Sequence, residues 1–189
     1  MTTKTLIVCF LLSVFSASAL ASDWIIDKEA SHVSFFAKQT GNKFTGSFSR
    51  FTIEVSFDPS HPESGSITAK IDMTSLDAGD KQRNIALPGK EWFDSEIFPT
   101  ANFVSSSMSK TSDGTYVARG ALTLHGVTKP ISLPFTFVES EGKARVTAMI
   151  SLNRGDFGVG SGAWATGKWV SLEVGVEISI VAERAGESQ

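Results

Sequence analysis

Beyond residue 21 this chain of 189 residues has no cysteine; its one cysteine is Cys9. Disulfides therefore cannot hold the fold, and a packed core must do so, which a domain of this length is large enough to build. Proline is sparse, at 6, and tyrosine occurs once, as Tyr116. No apolar run approaches the roughly 20 residues that a membrane-spanning helix needs. Charge of either sign is also weak: 17 Lys and Arg stand against 20 Asp and Glu, for a net −3. This balance gives no basic footprint for nucleic acid, and no nucleic-acid partner is expected. Histidine occurs only as His32, His61 and His125. Their spacing matches no metal-ligand pattern, so no metal is expected.

Catalytic signatures are equally thin. Ser107-Met108-Ser109-Lys110 matches S-x-x-K, but it lies at the Ser-rich end of a strand and not at the start of a helix. Gly158, Gly160 and Ala163 match G-x-G-x-x-A, yet Trp164 and a Gly167 turn follow where a dinucleotide fold needs a helix. The neighbouring acids Asp77 and Asp80, or Asp94 and Glu96, fall in a polar stretch where capping or solvation accounts for them. No nucleophile stands beside a base, and the chain does not read as an enzyme.

What is present begins with an address. Lys4 supplies a positive start, Leu6–Phe15 is apolar apart from Ser13, and Ala19-Leu20-Ala21 forms an A-x-A cleavage site. Residues 1–21 therefore read as a Sec-type signal peptide, and a bacterial periplasm is the expected compartment. Residues 22–189 read as a single domain.

That domain reads as strands. Apolar residues alternate with polar ones at Val33, Phe35 and Ala37; at Phe51, Ile53, Val55 and Phe57; and at Ile67, Ala69 and Ile71. The pattern resumes at Tyr116, Ala118, Gly120, Leu122 and Leu124, then at Ile131, Leu133, Phe135 and Phe137. It ends with Val146, Ala148, Ile150 and Leu152, and with Leu172 through Ile180. Turn chemistry separates the runs at Asp58-Pro59, Asp113-Gly114, His125-Gly126 and Glu141-Gly142. About eight antiparallel strands result, enough to close a barrel and remove its edges. Gly79 to Phe98 breaks the alternation. There, Asp77 or Asp80 caps a short helix over Lys81–Leu87, and Pro88-Gly89 ends it. Such an insert suits a lid on one barrel end. The many phenylalanines fit a packed core or an apolar cavity about equally well.

Five segments in order resemble one family. Trp24-Ile25-Ile26-Asp27 with Ser31-His32-Val33-Ser34-Phe35 is the first, and Gly46-Ser47-Phe48-Ser49-Arg50-Phe51 the second. Ile71-Asp72 through Ser75-Leu76-Asp77-Ala78-Gly79 to Arg83, Leu87 and Trp92-Phe93-Asp94 is the third. Leu122-Thr123-Leu124-His125-Gly126-Val127-Thr128-Lys129-Pro130 and Asn153-Arg154-Gly155-Asp156-Phe157-Gly158-Val159 complete the set. Together they resemble the YceI-like family of exported, lipocalin-like, polyisoprenoid-binding proteins. The sequence departs from the family pattern at Arg83-Asn84-Ile85-Ala86-Leu87, where Arg-Asp-x-His-Leu is common, and at Gln39, where a histidine is common.

The resemblance implies an all-β, eight-stranded lipocalin-like barrel with a helix near one end and a long apolar channel. It also implies a non-enzymatic protein that binds, shields or transports a long-chain isoprenoid lipid of polyprenyl or prenyl-quinone type. The lining residues expected for the channel are Phe35, Phe48, Phe51, Ile71, Trp92, Phe93, Phe103, Leu122, Leu124, Phe135, Phe137, Ala148, Ile150 and Phe157. Arg83 is expected at a polar mouth. Trp92-Phe93-Asp94 and Gly160-Ser161-Gly162-Ala163-Trp164 look like the subset associated with di-haem b-type membrane cytochromes. By analogy, this adds the alternative of an accessory that presents a quinone to a membrane electron-transfer partner, with transient contact at a membrane. A carbohydrate-binding module stacking sugars on exposed Trp92, Trp164 and Trp169 is a further alternative.

Overall fold

A computed structural model describes residues 23–185; the leader, its cleavage site and Cys9 lie outside the described residues. Among the described residues, ten strands, one α-helix and four short 3-10 helices make up the regular structure. Strands β1 (Asp23–Gln39), β2 (Asn42–Phe48), β3 (Phe51–Ser56) and β4 (Ser66–Asp72) come first. A two-residue β5 (Leu76–Asp77) and helix α1 (Lys81–Ala86) follow. The chain continues through β6 (Thr100–Lys110), β7 (Tyr116–Leu124), β8 (Val127–Ser140), β9 (Lys143–Asn153) and β10 (Glu173–Arg184). β2 and β3 lie end to end along β1, with Phe48 opposite Val33 and Val55 opposite Trp24. Counted as one strand broken at Ser49–Arg50, they form a ring with β4, β6, β7, β8, β9, β10 and β1, and the β10–β1 pairing closes it. The result is a closed, eight-stranded antiparallel barrel.

Tight hairpins set the register. Thr40-Gly41, His125-Gly126 and Glu141-Gly142 all have both residues at positive φ. That is the two-residue turn whose twist matches paired strands. Two bulges shift the inward face. In β6 one extra residue sits between Ser105 and Ser107, so Ala101 and Phe103 face inward before it and Met108 after it. In β1 the register slips between Asp27 and His32, where the Asp27 carboxylate accepts from the amides of Glu29 and Ala30. His32 lies within β1, just beyond this slip.

The end of the barrel where β1 begins is filled. Phe57 is 2 % exposed, and its ring meets Tyr116, Phe135 and Phe137 edge-on at 5.0–5.6 Å between centroids. The Trp24 ring packs on Phe137 at 5.4 Å, and its Nε1 donates to the Phe57 carbonyl at 3.0 Å. Ala118, Ala144 and Ala182 leave room for these rings. Burying a phenylalanine this completely stabilises by about 1.5–3 kcal/mol, so the aromatic floor is a firm stop.

Two irregular segments cover the opposite end. The Asp80 carboxylate caps α1, accepting from the amides of Gln82 (2.9 Å) and Arg83 (3.1 Å). Asp77 instead accepts from the Gly79 amide and the Asn84 side chain. After the helix, Leu87 and Trp92 turn inward and are buried. The second segment, residues 154–170, supplies buried Phe157, Val159 and Val170.

Candidate functional site

Between the aromatic floor and this lid lies a cavity of about 240 Å³. Apart from Asn102 and Arg154, every side chain lining it is aliphatic, aromatic or a thioether. All of the expected channel residues line it except two. Phe35 and Phe48 come from β1 and β2, Ile71 from β4, Phe103 from β6, Leu122 and Leu124 from β7, Phe135 from β8, and Ala148 and Ile150 from β9. Trp92, Phe93 and Phe157 reach it from the lid.

Phe51 and Phe137 do not line the cavity. Phe137 is part of the floor, held between Trp24 and Phe57. Phe51 shares the face of Ile53 and of its partner Ile71, both of which line the cavity, but it is the first residue of β3, beside the break at Ser49–Arg50, and sits half-buried outside the wall. The lining also includes Val33, Ala37 and the β10 residues Val174, Val176 and Ile178, whose alternation is plain in the sequence. Val159 and Val170 line it from a loop, where no periodicity marks them.

Arg154 carries no periodic signal either, and it organises the lid. It is 4 % exposed. Nε donates to the Ser171 carbonyl at 2.9 Å. Nη1 donates to Val159 (2.7 Å) and Gly160 (3.2 Å), and Nη2 to Trp164 (2.6 Å) and Val170 (2.9 Å). All five guanidinium N–H groups are thereby used on backbone carbonyls, with no carboxylate involved. Burial pushes the Arg154 pKa below its ordinary value. A Cβ at position 160 would collide with Arg154 Nη1, so the loop needs glycine there. The guanidinium also lies 5.1 Å from the Trp92 ring centroid. Trp92 packs on Trp164 at 5.4 Å, Trp164 Nε1 donates to Glu91 Oε2 at 3.0 Å, and the Ser161 amide donates to the Glu91 carbonyl at 2.7 Å. These contacts tie the two lid segments together. Trp92, at 6 % exposure, is not a sugar-stacking platform; of the three tryptophans in that reading, only Trp169 is strongly exposed.

Arg83 is at the mouth and outside the apolar cavity. Its Nε donates to the Ala78 carbonyl at 3.0 Å and Nη1 to Gln39 Oε1 at 3.2 Å. The remaining polar candidates stay apart. His61 lies 3.4 Å from Asp58, in the turn after β3. His125 meets the Phe157 carbonyl and the Phe98 ring at the lid end. Ser107–Lys110 runs along β6, and residues 158–163 form no α-helix. Among the described residues no group of three His, Cys, Asp or Glu side chains converges.

A closed eight-stranded barrel with one plugged end, a lidded end and an apolar interior defines a lipocalin-like protein. Residues 24–182 match the YceI-like domain, and the chain belongs to the YceI-like family. It is 34% identical over 172 residues to a UPF0312 protein of Pseudomonas putida KT2440, covering 86% of this chain and 88% of that protein. The crystal structure of BcnA from Burkholderia cenocepacia superposes with a TM-score of 0.80 at 32% identity, covering 83% of this chain and 99% of that one. A domain of Saccharophagus degradans described as polyisoprenoid binding, and implicated in plant cell wall breakdown, superposes at 0.65. It covers 87% of this chain and 99% of that one, and at 18% identity the likeness is one of fold.

Proposed function

We propose that this protein binds a long-chain isoprenoid lipid in the barrel cavity and carries it, shielded from water, through the periplasm after export by the residue 1–21 leader. The observation that supports this most directly is the carbon-lined cavity enclosed between the aromatic floor and the lid. A prenyl chain offers nothing charged to recognise, so shape and apolar area must carry its binding, at about 0.8 kcal/mol for each buried methylene before the cost of ordering the chain. The only polar side chains in the wall are Asn102 and Arg154, and the Arg154 donors are already used internally. At about 240 Å³ the cavity lies just below the usual range for small-molecule sites, roughly 300–1,000 Å³. A long chain therefore needs the lid segments to give way, or leaves part of its length at the mouth. The likeness of fold to a polyisoprenoid-binding domain points in the same direction.

The test is mass spectrometry of an organic extract of the purified, exported protein. An isoprenoid present at near one per chain is the expected result. A prenyl quinone in that extract would favour presentation to a redox partner, and a polyprenyl alcohol or phosphate would favour carriage. An extract holding only ordinary phospholipid, together with no uptake of added prenyl lipid by the stripped protein, overturns the reading.

A further inference from the structure

Between β8 and β9 the barrel wall is zipped over only part of its height. Their ladder runs from Ser140↔Lys143 to Phe135↔Ala148 and stops. β8 extends beyond that pair to Val127 and β9 to Asn153, and among the described residues no strand pairing joins these two stretches.

Two prolines account for the break. The Glu141-Gly142 turn makes Ser140↔Lys143 a hydrogen-bonded pair, and such pairs alternate along an antiparallel ladder. Val138↔Arg145 and Thr136↔Thr147 are the next two. In the same register Pro134 would face Met149, Ser132 would face Ser151, and Pro130 would face Asn153. Proline has no N–H to give, so the first and third of these positions cannot complete a pair. The β7 side of β8 is untouched, because its bonds fall on the alternate residues from Val127 to Phe135. The prolines therefore open one edge of β8 and leave the other intact.

This gap opens on the cavity. Ile131 and Leu133 on one side, and Ile150 and Leu152 on the other, line the cavity and are half-buried, next to the buried Phe135 and Ala148. Toward the lid the gap ends where His125 Nδ1 meets the Phe157 carbonyl at 3.2 Å. Its rim is uncharged: residues 130–138 of β8 and 146–153 of β9 contain no Asp, Glu, Lys, Arg or His. Charge resumes one strand away, at Arg119 opposite Ser132 and at Glu177 opposite Met149.

Resting on the isoprenoid reading of the cavity, we propose that this gap is a side portal, through which the prenyl chain enters and leaves the barrel between β8 and β9 while the lid stays shut. Entry through the mouth would have to part the two lid segments, which the Glu91, Trp92 and Trp164 contacts tie together. The gap requires no such step, and an apolar chain crosses an uncharged rim without stripping water from a charge. The same prolines guard the open edge of β8 against pairing with another chain.

Hydrogen exchange tests the gap, and stopped-flow uptake of farnesol by delipidated protein tests its use. In wild type the Met149 and Ser151 amides, which face the gap, are expected to exchange fast, while the Ile150 amide between them, directed at β10, stays protected. Two closures are then compared with wild type. Pro130→Thr with Pro134→Thr restores the missing donors, and closure is read as new protection at Met149 and Ser151. Ser132→Cys with Ser151→Cys, bridged by a short bismaleimide, ties the two edges in a chain that has no other cysteine after residue 21; this bridged form decides the matter if the threonines leave the gap open. Closure should slow farnesol uptake and release alike, by roughly tenfold or more, and leave the equilibrium affinity unchanged. Uptake by the bridged protein as fast as wild type overturns the portal and leaves the isoprenoid reading standing. Slow wild-type exchange at Met149 and Ser151 does the same. Wild-type protein that takes up no farnesol at all sinks that reading and this one with it.

Discussion

Arg154 shows how one buried cation can be stable without a counter-charge. Taking a guanidinium out of water costs several kcal/mol, and here five backbone carbonyls replace the lost water. The arrangement works in both directions: the carbonyls satisfy the cation, and the cation gathers residues 159–171 into one loop over the cavity. Lysine has too few donors and no planar fork, so it would not substitute. Arg154→Met is therefore expected to cost about 3–5 kcal/mol, since the carbonyls lose their donors. The loss should be local first. Hydrogen exchange should speed up at the Val159, Trp164 and Ala165 amides, whose bonds lie within the loop, before the barrel strands respond. Unchanged protection there, with unchanged melting, would show that the loop is held by its apolar contacts instead.

At the scale of elements, alternation carried most of the fold. Strands β7, β8, β9 and β10 are visible as period-2 runs because their inward faces are unbroken, and X-Gly turns fix the β7–β8 and β8–β9 hairpins. β6 is not visible that way, because the bulge at Ser105–Ser107 moves its inward face from Phe103 to Met108. The break at Ser49–Arg50 hides the continuity of β2 and β3 for the same reason, moving the inward face from Phe44 and Phe48 to Ile53. Helix α1 was legible from its caps and its missing alternation, since side-chain capping is a local interaction. The contacts of Arg154 and the pairing of Trp92 with Trp164 were not legible, because they join positions that only the closed barrel brings together. The helix buries none of its own residues, so its stability depends on the cap more than on packing. Asp80→Ala should destabilise it by about 1 kcal/mol. Exchange at the Asn84 and Leu87 amides should rise while β9 keeps its protection. If β9 loosens equally, lid and barrel form one cooperative unit.

For the whole molecule, the question is whether the barrel is built to be filled by its own side chains or by a guest, and alternation cannot decide it, since both designs place apolar residues inward. The structure divides the interior: large rings against alanines at the floor, open space above them. Ala148 stands at that boundary, opposite Phe135 on one side and Ile178 on the other, and lines the cavity. In a filled interior, Ala148→Trp would overpack and cost about 1–3 kcal/mol, lowering the melting temperature by roughly 2–4 °C per kcal/mol for a domain of this size. In the observed barrel the indole has the cavity to enter. Delipidated Ala148→Trp is therefore expected to melt close to wild type, while the lipid in its organic extract and its uptake of farnesol both fall sharply. Because Ala148 also touches the floor cluster, Ile150→Trp, one inward position nearer the lid, separates the two effects; it should block the cavity without reaching the floor. A stable Ile150→Trp protein that still takes up farnesol as wild type does would show that the isoprenoid chain does not occupy this cavity.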